Sequence, residues 1–152
     1  MYIFGYISQD AYSASLAAAA PAAQAGVYGD DLGKCLVSST SEADRSLMVK
    51  WIFASMSLNA EVSQYARITP AEREELNRRT AALYMRLLTE SCRAQTRDAA
   101  RYEGAAAIGA AFGLLGQIAT QGIFNDPAVT AGVNELEKFY DIKKLESVMQ
   151  EK

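Results

Sequence analysis

Hydrophobic residues in the middle of the chain recur with the period of an α-helix. Between Leu47 and Leu58 they return every three or four residues, which is the spacing of one helical face. Thr40 or Ser41 can cap such a helix, and the acidic residues that follow suit the positive end of its dipole. The pattern predicts a first helix over about residues 41–58.

The clearest helix start in the sequence is Thr69, an N-cap residue that precedes Pro70 at the first helical position. No helix breaker follows until about Arg101, so we expect one long helix, straight or kinked, from Thr69 onward. Its predicted apolar face comprises Leu76, Ala81, Tyr84, Met85, Leu88 and Cys92. Its opposite face carries mixed charges, among them Arg86, Arg93, Arg97 and Arg101.

Small and apolar residues dominate the next segment, 105–122, on nearly all sides of a helical projection, which is typical of a helix surrounded by its neighbours. Asp126 followed by Pro127 predicts a further helix that continues to about Phe139. Asp141 can begin a terminal helix, with Ile142, Leu145, Val148 and Met149 on one side. No window alternates with period two between turn signals, so no sheet is expected. The predicted fold is all-α, a compact bundle of about five helices.

The first 28 residues read differently from the rest. Residues 13–25 are rich in alanine, and Ala23-Gln24-Ala25 suits signal peptidase, but residues 1–10 lack the Lys or Arg of a standard leader. A degenerate signal peptide and a flexible arm on a cytoplasmic protein both fit. In either case we expect residues 1–28 to contribute little to the fold and residues 29–152 to form one domain, with 29–37 as a short turn or single helical turn.

Composition removes several classes of function. The chain of 152 residues has a net charge of −3 and no histidine, so it lacks the basic surplus of nucleic-acid-binding proteins and the commonest proton shuttle and metal ligand. Phosphate loops, nucleophile elbows, metalloprotease motifs and calcium loops are absent from the sequence. We therefore expect no enzyme, no cofactor and no metal site. An enzyme using only carboxylates and arginine remains an open alternative.

The two cysteines, Cys35 and Cys92, fit neither zinc-ligand spacing nor a redox pair. One structural disulfide and two inert buried thiols remain, and the compartment decides between them. If the protein is exported to the periplasm or secreted, as the signal-like segment favours, a Cys35–Cys92 disulfide is expected.

Three further features are candidate sites. Arg86, Arg93, Arg97 and Arg101 at helical spacing are a candidate surface for an acidic protein partner, although interspersed glutamates are also typical of an ordinary solvated face. Trp51 and Phe112 are candidates to line an apolar pocket, although aromatic residues at helical spacing more often form core. Residues 105–122 are long enough to span a bilayer, but Gln117, Thr120 and Gln121 argue against insertion. We attribute their glycines and alanines to close helix packing.

The run Cys35–Phe53, the tripeptide Glu90–Cys92 and the segment around Tyr102–Gly104 resemble a group of small uncharacterised exported proteins of proteobacteria. The likeness covers residues 30–152 and implies a helical, disulfide-containing periplasmic domain. That group has no assigned activity, so the resemblance assigns a role to no residue.

Taken together, the sequence predicts a non-enzymatic exported helical domain that binds another protein, for example as an immunity or inhibitor protein. The alternative is a carrier of a small apolar ligand held between helices. Neither nucleic-acid binding nor integral membrane insertion is expected.

Overall fold

The computed structural model describes residues 26–151, which contain seven α-helices and no strand. The all-α prediction is therefore confirmed, with two helices more than expected, because residue 29 onward forms a true helix and the long helix is divided in two. A π-turn at Leu87–Ser91 makes that division, and 3₁₀ turns lie at Ser63–Tyr65 and Glu135–Phe139. The helices are α1 Val27–Ser38, α2 Glu42–Met56, α3 Pro70–Arg86, α4 Arg93–Tyr102, α5 Ala105–Phe124, α6 Pro127–Asn134 and α7 Ile142–Met149.

Side-chain caps begin four of these helices at the predicted places. Ser41 and Asp44 form a reciprocal capping box at α2, and Thr69 and Glu72 form another at α3. The side chains of Asp126 and Asp141 accept hydrogen bonds from the first turns of α6 and α7. Each cap satisfies backbone donors that a helix leaves unpaired at its start.

Helix α1 overturns the expectation of a short turn at residues 29–37. It runs for 12 residues, and its Leu32 and Leu36 are completely buried. Gly33 permits a close approach to α5, because a Cβ at this position would lie 3.0 Å from Leu114 Cδ2 and 3.7 Å from the Ala111 Cα. Helix α1 thus begins at Val27, whereas the signal-like residues 13–25 lie outside the described residues.

The π-turn explains why the predicted apolar face of the long helix was partly wrong. Met85 and Ala81 are exposed, whereas Thr80, Leu83 and Leu87 are buried. The backbone N–H of Cys92 donates to the carbonyl of Leu87, five residues back, at 2.8 Å. One extra residue in this turn brings Cys92 rather than Ser91 into line with Leu87, so Cys92 is fully buried as predicted.

Helix α5 is less enclosed than its composition indicated. It buries one stripe, Ala107, Ala111, Leu115 and Ala119, against α1, α2 and α4. Only 22% of its most apolar 18-residue window is buried, and by length and composition it is the one described helix able to cross a membrane. A Cβ on Gly113 or Gly116 would meet nothing within 4 Å, so these glycines do not serve close packing.

Residues 125–151, here called the C-terminal arm, do not join the bundle that was predicted to include them. Helix α6 contacts the end of α5 and the following 3₁₀ turn, whereas α7 packs against none of the other described elements. Every residue of the arm is exposed except the half-buried Val129. The core therefore belongs to α1–α5, and the arm extends from it.

Candidate functional site

The disulfide between Cys35 and Cys92 joins α1 to the residue that follows the π-turn. Their Cα atoms lie 5.9 Å apart, and the bond closes a loop across a sequence separation of 57 residues. The Ser39 hydroxyl lies 3.6 Å from the Cys92 sulfur. The predicted pairing is confirmed, and the chain-entropy model assigns such a closure roughly 4 kcal/mol.

The opposite end of α1 is fixed by Glu103, a residue that no sequence pattern singled out. Its carboxylate oxygens accept hydrogen bonds from the backbone N–H groups of Tyr28 and Gly29, both at 2.9 Å. The rings of Tyr28 and Tyr102 stack beside this cap with centroids 4.7 Å apart. Helix α1 is thus attached at both ends to the α4 region, which makes the α1–α4–α5 layer a rigid support.

The predicted arginine surface is divided by the π-turn. Arg86 donates to the Asp44 carboxylate of α2 at 2.9 Å, so it forms a contact between helices. The extra residue of the π-turn also rotates Arg86 away from the later arginines by on the order of 100°. Partial burial raises the pKa of Asp44, but hydrogen bonds from Ser41 and Arg86 outweigh it and hold this pKa below its ordinary value.

Arg93, Arg97 and Arg101 do share one exposed face of α4, as their spacing predicted. The guanidinium of Arg97 donates to Asp98 at 2.9 Å, and this hydrogen bond raises the pKa of Arg97. The guanidinium of Arg101 lies 5.6 Å from the centre of the Tyr102 ring. Arg93 and Arg97 border an open depression of about 630 Å³, together with Glu90 and Gln95. This face presents cations, but acidic neighbours partly neutralise it.

Trp51 and Phe112, the predicted pocket residues, meet through a third ring. Tyr84 lies between them, with centroid distances of 6.0 Å to Trp51 and 4.5 Å to Phe112. Burial raises the pKa of Tyr84 to about 12, and the Trp51 indole N–H donates to Asn77 at 2.9 Å. The structure therefore brings both predicted residues together as packed rings that tie α2, α3 and α5.

An apolar depression lies elsewhere, between α2 and the start of α3. We call it the α2–α3 groove. It has a volume of about 620 Å³, and its floor is largely apolar. Arg73 holds the two walls together by donating to the Ala54 carbonyl and the Ser57 hydroxyl. The lining includes Lys50 and Phe53 from α2, Arg67 and Ile68 from the connecting loop, and Glu72, Glu75 and Leu76 from α3.

Helix α7 of the C-terminal arm has an apolar face with no partner among the described residues. Ile142, Leu145, Val148 and Met149 are between 48% and 76% exposed. At 100° per residue they occupy an arc of about 120°, with Glu146 at one edge and Lys144 at the other. The helical period of the sequence predicts this face correctly, but it does not reveal whether the apolar side is covered.

Residues 26–151 contain no group of three or more acidic or cysteine side chains placed to hold a metal ion. Comparison with models of known protein families, with curated protein sequences and with solved structures finds no match for this chain. The function proposed below therefore depends on the chemistry of the surfaces described above.

Proposed function

We propose that this protein is an exported, non-enzymatic helical domain that binds another protein through its C-terminal arm. The observation that carries the proposal is the apolar face of α7, on which four large side chains contact no other described helix. Exposed apolar patches of this kind are characteristic of interaction surfaces. An immunity or inhibitor role is one form that such binding takes.

The geometry of α7 matches recognition of a helix by a groove. Ile142, Leu145 and Met149 stand at positions i, i+3 and i+7, the anchor spacing by which an amphipathic helix enters an apolar cleft. An isolated helix of eight residues is marginal in water, because the cost of nucleation exceeds what so few hydrogen bonds return. Burial of its apolar face against a partner supplies the missing stabilisation.

The remainder of the domain supplies a rigid mount for the arm. The disulfide and the Glu103 cap fix both ends of α1 on α4 and α5, and α5 leads directly into the arm. Export is supported by the disulfide, which persists in oxidising compartments. The same location follows if, as we propose, residues 30–152 belong with the exported proteobacterial proteins that the sequence resembles.

Site-specific photo-crosslinking tests the proposal. A photoreactive amino acid in place of Leu145 is expected to capture a protein at defined stoichiometry in cells that produce the chain. The matched control places the same group at Gln117, which is exposed on α5 outside the arm. Capture from position 117 but not from 145, or from neither, would remove the arm as the binding surface.

The face of Arg93, Arg97 and Arg101 is a second candidate surface, supported by its exposure and shared helical spacing. Replacement of Arg97 by Glu reverses its charge without touching the core. If an acidic partner binds here, the variant weakens capture by at least about threefold at low salt and less at high salt. Equal capture by the variant and the natural chain would rule this face out.

Carriage of a small apolar ligand is a second candidate function. The observation in its favour is the α2–α3 groove, because about 620 Å³ lies in the range of small-molecule pockets. Native mass spectrometry of protein isolated from its producing cells is expected to show a bound mass if the groove carries such a ligand. A uniformly empty protein contradicts this alternative.

A further inference from the structure

We infer that the α2–α3 groove is the receptor for α7 of a second copy of this chain, so that two copies exchange arms reciprocally. The inference rests on the proposed function, because it names the partner of the arm. Both halves of the contact are present on one chain. One is an apolar stripe on a helix with no described partner, and the other is an open apolar groove between two helices.

Exposed apolar surface is concentrated in these two regions. Thirteen of the nineteen exposed large apolar side chains in residues 26–151 lie either in the arm or in the segment from Phe53 to Tyr65, of which Phe53 lines the groove. In one chain the two regions do not touch, because α7 packs against none of the described elements. A reciprocal exchange about a two-fold axis covers the α7 stripe and the groove of both copies with one closed arrangement.

The charges of the helix and the groove are complementary. The apolar stripe of α7 has an acidic edge at Glu146 and a basic edge at Lys144. In the groove, Lys50 of α2 and Arg67 of the loop are cationic, and neither makes an ion pair with another described residue. A docked α7 therefore places its acidic edge toward Lys50 and Arg67.

The basic edge then faces the α3 wall, which presents Glu72 and Glu75. Glu72 also belongs to the α3 capping box, where hydrogen bonds from Thr69 lower its pKa, and Glu75 also pairs with Arg78. The lowered pKa keeps Glu72 charged at neutral pH, and both glutamate side chains are exposed at the groove. In one orientation of α7 both of its charged edges face opposite charges of the groove. In the reversed orientation both edges face like charges.

Reciprocal exchange brings the contact close to the size of a standard interface. A standard interface involves about 20–30 residues and about 800 Å² on each partner. In a reciprocal exchange each copy contributes twice, once through the eight residues of α7 and once through the eight residues that line the groove. The apolar members of these two sets form the centre of the interface, and the charged edges described above form its rim.

Oligomeric state as a function of concentration tests the inference, measured by sedimentation and native mass spectrometry on the oxidised full chain. The natural chain is expected to be dimeric. Leu145→Asp in the arm and Phe53→Asp in the groove are each expected to weaken the dimer by about 100-fold or more. Glu137→Lys, a charge change in the arm away from α7, serves as the matched control and is expected to leave the dimer intact. Circular dichroism and the intact disulfide verify that each variant folds.

Two further measurements identify the contact itself. Mixing Leu145→Asp with Phe53→Asp chains is expected to restore a heterodimer, because one intact arm and one intact groove remain between them. Glu146→Lys and Lys50→Glu are each expected to weaken the dimer by at least about threefold, and the double variant to recover most of the loss.

A chain that is monomeric at all concentrations overturns the inference, as does a dimer that is indifferent to Leu145→Asp. The inference is also overturned if the chain stays monomeric and binds lipid vesicles in a manner that depends on Leu145. The same holds if the groove of a monomeric chain binds a small ligand. A monomer whose position 145 still crosslinks to a different protein overturns this inference alone and leaves the proposed function standing. A monomer with no crosslink from position 145 overturns both.

Discussion

Glu103 caps Gly29 from a distance of 74 residues in the sequence, with its Oε2 atom accepting a hydrogen bond from the Gly29 backbone N–H at 2.9 Å. The other carboxylate oxygen accepts from Tyr28, so one side chain satisfies two backbone donors at the start of α1. Gly26 at the N-cap has no side chain that could do this, and a Cβ there would collide with the Glu103 carboxylate. The start of α1 is therefore determined by tertiary structure.

Removal of this cap is expected to destabilise the domain measurably. Glu103→Ala leaves two backbone donors without their acceptor, so we expect the free energy of unfolding to fall by about 1 kcal/mol, the usual cost of a lost N-cap. Glu103→Gln retains one acceptor oxygen and is expected to lose less. Urea denaturation measures both, with Glu61→Ala in the exposed connecting loop as the control. Equal stability of Glu103→Ala and Glu61→Ala would show that the cap contributes nothing.

The π-turn predicts that the chain tolerates a deletion at one place in the long helix and not at another. Deleting the exposed Thr89 converts the π-turn into a regular turn and keeps Leu87 and Cys92 on one face, because their separation changes from five residues to four. We expect the disulfide to form. The free energy of unfolding is expected to change by no more than about 1 kcal/mol, which is the usual effect of one unfavourable residue in a helix interior.

The control deletion removes Arg97, an exposed residue within regular α4. It rotates Ala99 and Glu103 by about 100° relative to Cys92, which carries them out of the core and off the α1 cap. Thermal denaturation is expected to show a large fall in melting temperature for the Arg97 deletion and not for the Thr89 deletion. Comparable losses for both deletions would mean that the π-turn is not an inserted residue in an otherwise regular helix.

Two glycines are expected to respond in opposite ways to alanine. Gly104 has φ +83° and ψ −177°, a conformation nearly restricted to glycine, so Gly104→Ala is expected to cost about 1–3 kcal/mol. Gly113 lies inside α5 and a Cβ there would meet no atom within 4 Å, so Gly113→Ala is expected to stabilise by up to about 1 kcal/mol. Thermal denaturation of the two variants checks the signs, and a stabilising Gly104→Ala would contradict the backbone described here.

Acid is expected to weaken the domain through carboxylates whose pKa is lower in the folded state. The pKa of Asp44 lies below its ordinary value of 3.8, and the pKa of Glu72 lies below its ordinary value of 4.5. Their stabilising contribution is complete above those values and is lost as pH falls through the lower folded pKa values. Asp44→Asn is therefore expected to cost about 1 kcal/mol or less at pH 7, because the Arg86 pair is partly exposed, and to cost less near pH 3. A pH-independent difference from the natural chain would contradict this assignment.

The starts of α2, α3, α6 and α7 could be predicted from the sequence because each cap lies within three residues of the backbone groups that it satisfies. The start of α1 could not be predicted in this way, since the acceptor at that start comes from Glu103. The π-turn was also missed, because nothing in residues 87–91 distinguishes an extra residue from an ordinary helix, and this error moved the predicted core face onto Met85.

Some of the candidate sites could likewise be predicted from local sequence patterns, whereas others depend on how distant segments pack. Cys35–Cys92 and the apolar face of α7 follow from residue type and period, and both are present as predicted. Trp51 and Phe112 were a chemically reasonable pair, but only the packing of Tyr84 between them reveals rings in mutual contact. The α2–α3 groove depends on the relative placement of two helices and a loop, which no local pattern specifies.

The redox state of Cys35 and Cys92 in protein taken from its producing cells tests the account most directly, because export, the rigid mount of the arm and the binding role all depend on it. Free thiols are blocked by alkylation at the moment of lysis, and unreduced peptides are then identified by mass spectrometry. We expect one linked peptide pair containing Cys35 and Cys92 in nearly all molecules. Recovery of both cysteines in alkylated form would contradict it.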